Sequence, residues 1–312
     1  MPVLKPGPAG VVAGNSPARS TLKSDVRLLG AHLRIKFQLL LAPIFMLGAL
    51  LAGGEPTLAL ALCFIAVHAG IYGGMTAFNS YYDRDRGPIA FMKRPVLPTP
   101  FVRDAALAIQ LGAVILLLLL RPAAAGPALA LVAMGIAYSH PRWRWKAHLG
   151  ASLFAVSVGQ GILAFAIGYL AGGGPAAGLR EPRVAAAALG AALVTLGLYP
   201  VTQVYQIEED RARGDRTLAI AIGWRGALLV SALVLAAGVG LLLVALAGSI
   251  APYWSVVLPA GVLGLWGLFG LWAQRFEQLD AYRNHDWALG LGIAAASAFW
   301  LLIVSEWIRH AQ

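Results

Sequence analysis

Two stretches of this chain carry residue types that bind cations and phosphates, and they share one pattern. Asn79-Ser-Tyr-Tyr-Asp83-Arg-Asp-Arg-Gly87 and Gln206-Ile-Glu-Glu-Asp210-Arg-Ala-Arg-Gly214 each read amide, three residues, Asp, Arg, any residue, Arg, Gly. On a helix, an amide and a carboxylate four residues apart share a face, so each stretch would set oxygen ligands side by side, followed by two guanidinium groups and a helix-ending glycine. Carboxylates are scarce elsewhere. The chain has 14 Asp and Glu, and Asp83, Asp85, Glu208, Glu209, Asp210 and Asp215 all lie in or beside these stretches. Mg²⁺ is commonly held by one or two carboxylates and completes its shell with water and substrate phosphates. Such a metal neutralises a diphosphate and improves it as a leaving group, while Arg and Lys take its remaining oxygens. The bland alternative is a pair of polar helix ends leaving a membrane. Acids beside a bilayer are functional candidates by default, which favours the chemistry.

The elements that must position these groups are membrane helices. Hydrophobic residues make up 59% of the 312 and charged residues 12%, about half the roughly 25% charge of soluble domains. Hydrophobic spans fall near 35–53, 57–80, 104–120, 123–139, 149–171, 184–206, 226–248, 252–273 and 287–307, most of them of bilayer length. Residues 1–30, with Pro2, Pro6, Pro8 and Pro17 among glycines, read as a mobile tail, and 31–312 as one nine-helix domain. The third and fourth spans are divided only by Arg121-Pro122, and charge separates them. With nine spans and the tail in the cytoplasm, all but Arg121, Arg180, Arg183 and Arg309 of the 24 Lys and Arg fall on one side, as the positive-inside rule expects. Both motifs then emerge on the cytoplasmic face and can meet across one cavity, with the C-terminus external.

The net charge of +10 is spread over short connections between spans, which fits membrane topology better than a nucleic-acid partner. Cys63 is the one cysteine, so no intrachain disulfide forms and the thiol reads as packing. His68, alone within a span, reads the same way. No glycine-rich nucleotide loop precedes a helix. A diphosphate with a greasy tail fits better, its tail among apolar helices and its head at the polar rim. Cations for the head stand at Lys93, Arg94, Arg142, Lys146 and in the motifs. Tyr81, Tyr82, Tyr138 and Tyr205 offer aromatic faces for an allylic carbocation, or simply anchor the membrane interface.

Taken together, Asn79 with Asp83, Lys93-Arg94-Pro95, Tyr138-Ser139 with Lys146, and Tyr205-Gln206 through Asp210 to Gly214-Asp-Arg-Thr217 resemble the UbiA superfamily of intramembrane prenyltransferases. The resemblance implies an all-α polytopic fold of about nine transmembrane helices around a central cavity. It also implies two aspartate-rich motifs binding Mg²⁺-diphosphate, and transfer of a prenyl chain from its diphosphate to a small lipophilic, often aromatic, acceptor. Carried onto this sequence, it implies catalytic roles for Asp83, Asp210 and Tyr138. Substrate contacts fall to Asn79, Lys93, Arg94, Ser139, Arg142, Lys146, Gln206 and Arg211, and metal contacts to Asn79, Asp83, Asp85, Glu209 and Asp210. Two positions depart from the family pattern: Gly87 stands where the first motif usually carries a second aspartate, and Gln206 where the second motif usually opens with one. Gly87 and Pro88 are expected to end the first motif's helix, freeing Asp85 to turn inward. In a continuing helix Asp85 would point about 200° away from Asp83. The altered positions leave a catalytically silent scaffold as an alternative. An ion-coupled transporter is a weaker one, since its acids would lie near the bilayer midplane.

Overall fold

Lipid offers no partner to a free backbone group, so apolar runs of this length must satisfy their hydrogen bonds internally as helices. The computed structural model describes residues 21–312, and among them there is no β-strand. The helices are α1 (Leu22–His32), α2 (Ile35–Leu51), α3 (Leu58–Asp83), α4 (Pro100–Leu120), α5 (Pro122–Ser139), α6 (Leu149–Ala171), α7 (Pro182–Thr202), α8 (Ile207–Ala212), α9 (Leu218–Leu246), α10 (Trp254–Gln278) and α11 (Ala281–His310). Among the described residues eight are long and apolar enough to cross a membrane, and there are nine if the pair α1 and α2, bent by 41°, is taken as one span. Spans three and four are separate helices, as the charges indicate. Arg121 breaks the path with φ −148°, and Pro122 starts α5, where its missing N–H costs nothing.

Successive spans pack as neighbours from α2 to α7, then α9, α10 and α11, and α11 closes the ring against α2. Small residues permit the closest approaches. On α2 and α6, Gly48 faces the Phe165 carbonyl and Gly168 faces the Phe45 carbonyl, backbone against backbone. Contact this close is how helices associate in lipid, where there is no hydrophobic force between them. Cys63 is fully buried in this packing. His68 Nδ1 lies 2.9 Å from the Phe64 carbonyl, with its ring between Phe45 and Phe64. At the end of the bundle away from the motifs, arginines close helix C-termini: Arg121 donates to the Ala171 carbonyl at 3.0 Å and Arg183 to that of Ala245 at 2.6 Å.

One expectation needs correction. Residues 1–20 of the expected tail lie outside the described residues, but residues 22–30 are helical. Thr21 caps α1 by accepting the Ser24 N–H at 3.3 Å, and Asp25 accepts from the Thr99 hydroxyl at 2.9 Å. The proline and glycine signal ends at Pro17, and the capping signal begins at once. A Cβ on Gly168 would strike the Phe45 carbonyl, whereas at Gly264 it would meet nothing. Gly168→Ala should therefore destabilise by about 1–3 kcal/mol, seen as a lower melting temperature in detergent. Gly264→Ala should melt like the parent, and equal melting of all three proteins would contradict this packing.

Candidate active site

The last turns of α3 set the first motif. Asn79 Nδ2 donates to Asp83 Oδ2 at 3.1 Å, so the amide and carboxylate do share a helix face, and the second Asp83 oxygen is paired with the Lys146 ammonium. Gly87 does not end this helix, contrary to expectation. Arg84 does so, in the left-handed region at φ 51° with its N–H on the Ser80 carbonyl at 3.0 Å. Ending the helix one residue after Asp83 turns Asp85 into the cavity, where Arg213 donates to it at 2.7 Å. Gly87 instead lies against Glu209, whose Oε1 accepts the Arg86 N–H at 3.0 Å. Glu209 thus fastens the two motifs together from outside the cavity lining.

In the second motif Gln206 precedes α8 with non-helical φ −108° and ψ 5°. The shared helix face expected of Gln206 and Asp210 is therefore absent, because the chain is still turning at Gln206. Its amide reaches back to the Pro88 carbonyl at 3.5 Å, and both side chains nonetheless line the same cavity. Arg213 lies between the motifs, 2.7 Å from Asp85, 2.5 Å from Asp210 and 3.4 Å from Asp215. Arg144 grips both oxygens of Asp215 at 2.9 and 3.1 Å. Arg34 and Arg144 hold φ of 45° and 36°, strained values for a side chain with a Cβ, of the kind that cluster at functional sites.

Of these groups, Arg34, Asn79, Asp83, Asp85, Lys146, Gln206, Asp210, Arg213 and Asp215 line a polar cavity of about 170 Å³. An apolar cavity of about 200 Å³ adjoins it, walled by α2, α7 and α11 through residues such as Leu41, Ile44, Leu198, Ala296 and Phe299. Phe37, Ala90, Tyr199, Thr202 and Tyr205 line both. At this junction the Tyr138 and Tyr199 hydroxyls are 2.8 Å apart, and His285 Nε2 lies 3.1 Å from the Ile89 carbonyl, joining the 84–99 connection to α11.

Burial sets the electrostatics. It raises the Asp210 carboxyl to about 6 against the opposing pull of Arg213, and raises Asp85 likewise. It lowers the Lys146 ammonium to about 7, with repulsion from Arg213 adding to the effect. Burial also works against Arg213, yet Asp85 and Asp210 carry it above the usual arginine value. Among the described residues no three His, Cys, Asp or Glu side chains form a ready-made metal cage. The donors facing the cavity, Asn79, Asp83, Asp85, Gln206 and Asp210, are all oxygen donors. They fit Mg²⁺, which needs few carboxylates when phosphate completes its shell. Gln203, 4% exposed, faces the same space with neither amide atom hydrogen-bonded.

Of the residues picked from sequence, Asn79, Asp83, Asp85, Tyr138, Lys146, Gln206 and Asp210 surround this cavity. Lys93, Arg94, Arg142 and Arg211 are exposed, and Lys93 is paired with Asp286 at 2.7 Å. Ser139 is buried but does not face the cavity. Arg34, Tyr199 and Gln203 line it without having stood out in the sequence, and of the second motif's two guanidinium groups it is Arg213 that lines it. A signal for Arg213 existed: it stands three residues after Asp210, one turn along the same face, whereas Arg211 points outward.

Comparison with known proteins agrees with this architecture. Residues 40–290 match the UbiA prenyltransferase family. Digeranylgeranylglyceryl phosphate synthase of Natronomonas pharaonis is 32% identical over 272 residues, covering 81% of this chain and 88% of that protein. A UbiA homolog from Archaeoglobus fulgidus, solved bound to GPP and Mg²⁺, shares the fold with a TM-score of 0.61 at 18% identity, over 89% of this chain and 99% of that one. The apo UbiA homolog from Aeropyrum pernix K1 gives 0.60 at 20% identity, over 86% and 98%. Because the family match runs through both motifs and most of the helical ring, this chain belongs to the UbiA prenyltransferase family and is a multi-pass membrane prenyltransferase.

Proposed function

We propose that the protein moves an isoprenoid chain from a prenyl diphosphate to a small lipophilic acceptor, with Mg²⁺ held between its two motifs. The observation that carries this reading is the polar cavity lying against the apolar one, with Phe37, Ala90, Tyr199, Thr202 and Tyr205 lining both. A diphosphate with a hydrocarbon tail has the same two halves, and the GPP and Mg²⁺ bound by the Archaeoglobus fulgidus homolog are such a pair. In this reading Asp83, Asp85 and Asp210, with Asn79 and Gln206, hold the metal. Once bound, Mg²⁺ would neutralise charge on the diphosphate and make it a better leaving group.

Arg34, Lys146 and Arg213 take the remaining phosphate oxygens, since all three side chains line the polar cavity. Tyr199 and Tyr205 stand at the junction, where the bond between the prenyl C1 and the diphosphate oxygen breaks. Their ring faces favour positive charge developing on the allylic carbon. The acceptor attacks that carbon and loses a proton. An aromatic acceptor is the class that the family resemblance implies. The name of the Natronomonas pharaonis relative favours a second reading, a glyceryl phosphate lipid. Mass spectrometry of lipid extracts from cells with and without the protein separates them, because the missing product identifies donor and acceptor together.

If Asp83 and Asp210 act on one metal-bound diphosphate, Asp83→Asn and Asp210→Asn should each lower Mg²⁺-dependent product formation by roughly tenfold or more. The double variant should be little worse than either, as for residues that work as a unit. Full activity in either single variant, at equal amounts of folded protein, would sink the assignment.

The proposed orientation puts both motifs in the cytoplasm. It rests on the Lys and Arg asymmetry and on the gathering of the 84–99, 140–148 and 203–217 connections at one end. Cysteines introduced at the exposed positions Arg142 and Gln312 test it with an impermeant thiol reagent on intact cells, against a silent background because Cys63 is buried. Only the Gln312→Cys protein should be labelled, and labelling of Arg142→Cys alone would reverse the orientation.

A further inference from the structure

Every carboxylate facing the polar cavity already has a cation on it. Asp83 is paired with Lys146, Asp85 and Asp210 share Arg213, and Asp215 is held by Arg144 with Arg213 beyond it. Arg213 is the only one of these cations to touch carboxylates of both motifs, Asp85 from the first and Asp210 from the second. A guanidinium suits that position because its planar fork donates in several directions at once and keeps its charge when buried. Two other polar groups at the cavity are left open. Gln203, 4% exposed, has neither amide atom satisfied, and Arg34 Nε, buried at the same cavity, has none either. Buried donors and acceptors left open in this way mark space for a ligand.

A bare divalent ion entering this cavity would have to take Asp85 and Asp210 from Arg213 and leave that guanidinium, beside a dication, with only its longer contacts to Asp215 at 3.4 Å and Glu209 at 3.5 Å. Both losses are severe away from water. A diphosphate arriving with the metal removes the difficulty, because its oxygens accept the guanidinium in place of the carboxylates. We propose that Arg213 is the resident cation of the site: it excludes a free divalent metal ion and yields Asp85 and Asp210 only when the metal arrives with a diphosphate. Metal uptake is then coupled to the donor substrate through one side chain. The proposal rests on the reading of this cavity as a metal-diphosphate site.

The test measures Mn²⁺ retained by the full-length detergent-solubilised protein after rapid filtration, with and without inorganic pyrophosphate. The parent protein should retain Mn²⁺ at least about tenfold more tightly when pyrophosphate is present, the scale of a perturbed metal site. Arg213→Gln frees both acids, so it should retain Mn²⁺ alone about tenfold more tightly than the parent while holding less pyrophosphate. The parent's own two measurements can overturn the proposal even if the variant fails to fold. Equal retention by the parent with and without pyrophosphate, or an Arg213→Gln protein that is folded and no better at holding Mn²⁺ alone, overturns the role of Arg213. Absence of Mn²⁺ and pyrophosphate retention under every condition overturns the metal-diphosphate reading itself, and this inference with it.

Discussion

The arrangement depends on burying ionised groups at one end of an apolar bundle. Asp83 ends α3 and Asp85 opens the connection after it, Asp210 and Asp215 come from a second connection, Lys146 and Arg144 from a third, and each carboxylate is matched to a cation. Such pairs seldom add net stability, because desolvating two charges costs about as much as their attraction returns. Removing one partner is nevertheless expensive, about 3–5 kcal/mol, because the other is left buried and alone. The network therefore holds the three connections in register without being a reservoir of stability. It also keeps acids in a place that would otherwise neutralise them, as the raised carboxyls of Asp85 and Asp210 indicate.

The second constraint is the adjacency of unlike cavities. The apolar space is walled by spans that meet at the closing seam of the ring, α2 against α11, with α7 behind them. The polar space sits where those spans end and the motif connections fold over. Residues such as Tyr199 and Tyr205 belong to both, so the boundary is built from side chains with an apolar body and a polar tip. Charge separation at such a boundary is shielded from bulk water on one side and met by cations on the other.

Much of this was legible in the sequence, for physical reasons that differ from residue to residue. The spans were readable because lipid enforces length and apolarity together, and Arg121-Pro122 was readable as a break because charge asymmetry is a global count. The capped helix at Leu22–His32 was hidden by the proline-rich composition just before it. Asn79 and Asp83 were readable because helical spacing persists to the end of α3, whereas Gln206 and Asp210 lie across a turn that no periodicity announces. The helix end at Arg84 was invisible because an arginine in the left-handed region defies local preference. Exposed Lys93, Arg94, Arg142 and Arg211 show the limit of reading charge without geometry: cations near a bilayer are plentiful, and only packing decides which of them turn inward. Arg34 and Gln203 could be found only by seeing which connections converge.

The central claim is that one ligand spans both cavities, its diphosphate between the motifs and its chain among α2, α7 and α11. A structure determined with geranyl thiolodiphosphate and Mn²⁺, using the anomalous signal of the metal to locate it, tests this directly. Mn²⁺ should lie beside Asp83 and Asp210, the diphosphate against Arg34, Lys146 and Arg213, and the chain should pass Tyr199 and Tyr205 toward Phe299. Metal and diphosphate found at the opposite end of the bundle, near Arg121 and Arg183, or a chain lying outside the ring of helices, would contradict it.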